Sequence, residues 1–172
     1  MTALPASQAA VPGPAGLDIA ALAEALRGSD VVFHPAAPRD PAFEADLAGA
    51  VAAASNTRAG DVDLVVLDHT PPMIADLRDA AQDLLMAGDA ETVLIRTPNV
   101  AIGVSDTLTR AEIEVGERVM AAEPDYVAGV RAFVDTAEGF TVQWGVVGAL
   151  LIGLCALAFA AGFLATRRSE HL

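Results

Sequence analysis

The chain has 172 residues, 23 of them acidic against 10 basic, and a formal net charge of -13 at pH 7. That balance excludes a nucleic-acid binder, because too few cations exist to neutralise phosphates, and excludes docking on anionic lipid through a basic patch. The single cysteine, Cys155, leaves no disulfide framework and no thiolate metal site.

Residues 1–16, MTALPASQAAVPGPAG, are rich in Ala, Pro and Gly and show no hydrophobic period, so they read as a disordered tail. They carry neither a basic n-region nor an apolar h-region, and no signal peptide is expected there. A domain of ordinary size is expected over 17–137. Asp18 caps a first helix with Ile19, Leu22 and Leu26 at helical spacing and Gly28 past its end. Val31 to His34 is a short strand, kept from a central position by Pro35 and Pro38. Asp40-Pro41 is a cap followed by Pro at the first helical position. Phe43, Leu47, Ala50, Val51 and Ala54 then form one apolar stripe of a second helix ending near Ser55.

Asp63-Leu64-Val65-Val66-Leu67-Asp68 is the clearest strand, and its unbroken apolar centre predicts burial on both faces. His69 to Pro72 ends it. A third helix buries Met73, Ile74, Leu77, Ala81, Leu84 and Leu85 and stops at Gly88. A hairpin follows: Thr92 to Arg96, a turn at Thr97-Pro98-Asn99, then Val100 to Val104. Thr109 and Glu112 form a capping box for a fourth helix with Ile113, Gly116, Val119 and Met120 inward. Pro124 opens a fifth, with Val127, Val130, Phe133 and Val134 inward. Residues 138–143 form a linker, with Gly139 as its flexible point. Alternating helices and strands imply an α/β domain with a small mixed sheet flanked by helices.

From Trp144 to Ala165 the chain carries no charge and no proline. A helix of about 20 residues crosses a hydrocarbon core of ~30 Å, so 144–166 is expected to be a single C-terminal transmembrane helix. Trp144 sits where indole rings settle at the interface, and Arg167 and Arg168 open the short tail 167–172. The positive-inside bias of those arginines places the C-terminus in the cytoplasm and the domain outside. A tail-anchored, cytoplasmic domain is the alternative. Gly145, Gly148, Gly153 and Gly162 punctuate the span. The pairs Gly145 with Ala149 and Ala158 with Gly162 have the spacing that lets two helices approach, which admits a homo-oligomer through the span.

The order of elements from Ala42 to Ala137 resembles the TPM domain. The matching segments are DLVVLD, ADLRDAAQDLL, TVLIRTPNVAIGVSD and a helical pair LTRAEIEVGERVMAAEPDYVAGVRAFVDTA, with Tyr126 and Gly129 in its last helix. The whole layout is also similar to a family of small actinobacterial membrane proteins encoded near secreted NlpC/P60 peptidoglycan hydrolases. The resemblance implies either acid phosphatase or calcium-binding activity. Two departures bear on that. The family's acidic loop after its first strand is replaced by His34-Pro35-Ala36-Ala37-Pro38, and only Gly103 matches a Gly-x-Gly run, with Asp106 as the nearby carboxylate.

Calcium needs several converging oxygen ligands. Asp68 from the central strand end and Asp106 with its loop carbonyls are the expected pair, the alternative being that each caps a turn or helix. His34 and His69 both follow strands; with a carboxylate they would suit zinc, or they are plain loop residues. Ser105 lies in Gly-Val-Ser-Asp, which is not a nucleophile elbow. No catalytic residue is expected and no cofactor beyond calcium. The leading expectation is a membrane-anchored, non-enzymatic interaction module at the cell envelope that binds a protein partner, of the cell-wall remodelling or division class. A cation-assisted phosphatase and an accessory subunit recognised through its span are the alternatives.

Overall fold

The computed structural model describes residues 13–35, 39–139 and 152. The chain divides into two compact units, Met1–Phe140 and Thr141–Leu172. The expected span, with Trp144, Gly145, Gly148, Gly153, Gly162, Arg167 and Arg168, lies outside the described residues apart from Ile152. Among the described residues no helix is long and apolar enough to cross a membrane.

The first unit contains α1 (Ile19–Leu26), β1 (Val31–His34), α2 (Pro41–Ala54), β2 (Val62–Leu67), α3 (Ile74–Ala87), β3 (Thr92–Arg96), β4 (Ala101–Ser105), α4 (Arg110–Ala122) and α5 (Tyr126–Gly139). The caps explain most of the boundaries. The Asp18 carboxylate accepts the Ala21 N–H at 3.0 Å, and Asp40 accepts that of Ala42 at 3.0 Å ahead of Pro41. Thr109 and Glu112 close a reciprocal capping box on α4, which satisfies two of the donors that a helix start leaves open.

Several boundaries differ from the sequence reading. β2 and β4 are each shifted by one residue. α3 begins only at Ile74, so Met73 and Ile74, expected on its buried face, are exposed before and at its first turn. Pro14–Gly16 is not tail but a 3-10 turn, packed with Leu17 against α1 and α3. Here Gly16 takes a φ of +73°. The fifth helix opens at Tyr126 rather than at Pro124, because Asp125 accepts the N–H groups of Val127 and Ala128 at 2.8 and 3.2 Å. It also continues to Gly139, through the start of the expected linker.

The four strands lie in chain order, β1-β2-β3-β4. β1 pairs parallel with β2, β2 parallel with β3, and β3 antiparallel with β4. β1 is thus an edge strand, as Pro35 demands. Side chains alternate across β2: Leu64 and Val66 join the core under α2, α4 and α5, while Val65 and Leu67 join the one under α1 and α3. The domain is a three-layer α/β sandwich. At the other edge Glu117 accepts the Gly103 N–H at 2.8 Å and pairs with Arg78 at 2.9 Å. That bridge ties α3 to α4 around β4 and occupies a donor that an edge strand would otherwise offer to another sheet. α4 and α5 pack closely because Gly116 has no side chain; a Cβ there would stand 2.6 Å from the Phe133 ring.

Candidate functional site

The sheet register separates the expected calcium ligands. Asp68 follows the C-terminal end of β2 and Asp106 that of β4. Ser105 lies opposite Thr92, and Thr92 opposite Val62. The two aspartates therefore stand at opposite ends of the sheet, roughly 20 Å apart at ~3.3 Å per strand residue. The Asp68 carboxylate meets His69 Nδ1 at 2.6 Å, and the Asp106 N–H donates to the Glu91 carbonyl at 2.9 Å. His34 pairs with Leu67, so His34, Asp68 and His69 do share one end of the sheet. However, among the described residues no group of three or more His, Cys, Asp or Glu is arranged to hold a metal ion. Ser105 Oγ is a structural pin: it accepts from Thr92 Oγ1 at 2.7 Å and from the N–H groups of Thr107 and Leu108 at 3.1 and 3.0 Å.

Two other places carry concentrated chemistry, and no motif in the sequence marks either. The first is a cleft of about 390 Å³ where the parallel strands begin, lined by Asp30, Asp61, Asp63 and Asp89. Each parallel strand enters from a loop with an aspartate after a glycine: Gly28-Ser29-Asp30, Gly60-Asp61 and Gly88-Asp89. Parallel pairing brings all three loops to one end. Gly60 takes a φ of +66°, a turn conformation that glycine enters without steric cost. Asp63 shares the face of Val65 and Leu67, and its carboxyl is pushed up to about 6, first by burial and then by Asp30, Asp61 and Asp89.

The second lies at the opposite end, where β3 finishes. Arg96 is 1% exposed. Its Nη1 donates to the carbonyls of Thr97 and Val100, and its Nη2 to those of Ala121 and Glu123 at 3.4 and 3.1 Å. These are carbonyls of the hairpin and of the end of α4, where the helix leaves its acceptors unsatisfied and partly negative. The guanidinium also stacks over the Tyr126 ring at 4.7 Å, while Nε has no partner among the described residues. Burial pulls its pKa below the usual range, and Tyr126 opposes the shift. A charged residue closing an apolar central strand was the available signal for this site.

From Tyr126 an aromatic row continues. Tyr126 and Phe43 have centroids 6.4 Å apart, and Phe43 and Phe33 6.1 Å. Arg39 stacks on Phe33 at 4.1 Å. Phe43 and Tyr126 line a groove of about 520 Å³, rimmed by Asp40, Asp46 and Asp125, at the facing N-termini of α2 and α5.

A mixed four-stranded sheet between two helical layers defines a small three-layer α/β domain, followed in sequence by an uncharged segment. The chain belongs to the family described as membrane protein Rv1476, which it matches over residues 11–171. The fold is similar to the solution NMR structure of the N-terminal domain of cg2496 protein from Corynebacterium glutamicum. That match has 13% identity and a TM-score of 0.50, covering 64% of this chain and 78% of that one. An N-terminal domain of a protein from P. gingivalis aligns at 15% identity and a TM-score of 0.48, covering 74% of this chain and 90% of that one. No curated protein sequence matches the chain.

Proposed function

We propose that the protein is a membrane-tethered, non-enzymatic interaction module whose TPM-like head binds a protein partner at the cell envelope. The observation that carries this reading is the groove between α2 and α5, with Phe43 and Tyr126 on its floor and three aspartates on its rim. Half-buried aromatic side chains beside polar groups are a common composition of binding surfaces. The span over 144–166 holds the head at the bilayer and raises its local concentration beside envelope partners. Arg167 and Arg168 keep the C-terminus in the cytoplasm and leave the head outside. Partners of the cell-wall remodelling or division class suit that position.

Affinity capture of the full chain from detergent-solubilised membranes tests the reading. A discrete envelope protein should co-purify with the wild type and be lost with Phe43→Ala. Recovery of the protein alone from wild-type membranes would overturn it. Protease treatment of spheroplasts should remove the head; a protected head would exclude an extracellular partner.

A further inference from the structure

We infer that the groove between α2 and α5 receives a cationic side chain, lysine or arginine, presented by the partner polypeptide. This inference rests on the interaction-module reading and names what that module recognises.

The groove combines two features that together select a cation on an aliphatic stem. Its floor offers the rings of Phe43 and Tyr126, tilted 58° to each other. Its rim offers the carboxylates of Asp40, Asp46 and Asp125, and among the described residues no basic one lines it. An aromatic face attracts a cation through its quadrupole, and more strongly once water is displaced. The stem of lysine or arginine covers apolar surface while its head stays with the carboxylates. An anion would meet three like charges here, and a plain hydrocarbon would leave those carboxylates uncompensated.

The rim is also positioned in advance. Asp40 is held by the Ala42 N–H at 3.0 Å, and Asp125 by the N–H groups of Val127 and Ala128. Two carboxylates are thus fixed on the helix ends before any ligand arrives, so little ordering remains for binding to accomplish. The head already uses the same chemistry twice in this aromatic row. Arg39 stacks on Phe33 and Arg96 on Tyr126. Arg96 is committed to four carbonyls and is fully buried.

The test uses the full chain in detergent micelles at low salt and a blocked pentapeptide, Ala-Ala-Lys-Ala-Ala. The same peptide with norleucine for lysine serves as the uncharged control. Tyr126 is the only tyrosine, so its ring signals in an NMR titration report the groove without ambiguity. The expected result is a saturable shift with the lysine peptide and none with norleucine. Asp46→Asn, on an exposed helix position, should weaken binding at least ten-fold, and Phe43→Ala should do the same. Asp63→Asn, in the cleft at the other end of the sheet, should leave binding unchanged. Equal loss in Asp63→Asn would mean that only bulk charge is felt and would overturn the inference. Equal binding of the norleucine peptide, or no saturable shift at all, would overturn it too. If the partner still co-purifies from membranes while the lysine peptide fails, the module reading stands and this inference falls.

Discussion

The two ends of the sheet handle buried charge in opposite ways. Where β3 finishes, one arginine is withdrawn from water and its cost is met by main-chain carbonyls of the hairpin and of the end of α4. Removing such a charge from its partners, or the partners from it, leaves buried groups unsatisfied. Where β1, β2 and β3 begin, four aspartates face one another across an open cleft, and the most enclosed of them, Asp63, resists ionisation up to about pH 6. The first arrangement holds the head together. The second costs stability at neutral pH.

Replacing Arg96 by Ala should have the largest effect. It opens a cavity, strands the carbonyls of Ala121 and Glu123, and should cost about 3–5 kcal/mol in denaturant unfolding. Arg96→Lys keeps the charge but not the planar fork, and should recover only part of that loss. Gly116→Ala probes the helix pair that Arg96 anchors. The new methyl meets the Phe133 ring at 2.6 Å, for a loss of about 1–3 kcal/mol by the same measurement.

The other end should respond with the opposite sign. The carboxyl of Asp63 has a folded pKa raised from 3.8 to about 6. The folded state therefore holds its proton longer than the unfolded chain does. Below about pH 4 both states are protonated and the group costs nothing. As pH rises towards 6 and beyond, ionisation penalises the fold. Asp63→Asn should thus match the wild type near pH 4 and become more stable above pH 6. The gain should be about 1 kcal/mol once solvent screening of this half-exposed group is allowed for. Parallel thermal-melting curves from pH 4 to 7 that never diverge would remove the account in which burial first, and the neighbouring aspartates second, oppose ionisation of Asp63. The smallest effect is expected for Asp46→Asn, an exposed rim position, which should stay within about 0.5 kcal/mol of wild type. A larger loss would mean that the groove aspartates are structural.

Much of the fold was legible because its signals are local. Asp18, Asp40 and the Thr109/Glu112 box each announce a helix start within four residues, and the alternation of β2 across two cores follows from an unbroken apolar run. Sheet order was not legible, and the site depends on it. Asp68 and Asp106 both close strands in the sequence, yet one strand runs parallel to β3 and the other antiparallel, so the register sends them to opposite ends. The same blindness hid Asp30, Asp61 and Asp89, which are far apart in sequence and adjacent only because their strands are parallel. In the sequence Arg96 is only the end of a hairpin strand. Its role depends on the carbonyls of α4, 25 and 27 residues further along, which no periodicity reveals.

The claim that the end of the sheet bearing the aromatic row is the docking face can be met with one crosslinking measurement on the full chain in native membranes. A photoreactive residue is placed at position 46, in the groove, or at position 89, in the acidic cleft. Illumination should give a discrete protein adduct from position 46 and none from position 89. Adducts of the same size from both positions, or from position 89 alone, would contradict the account.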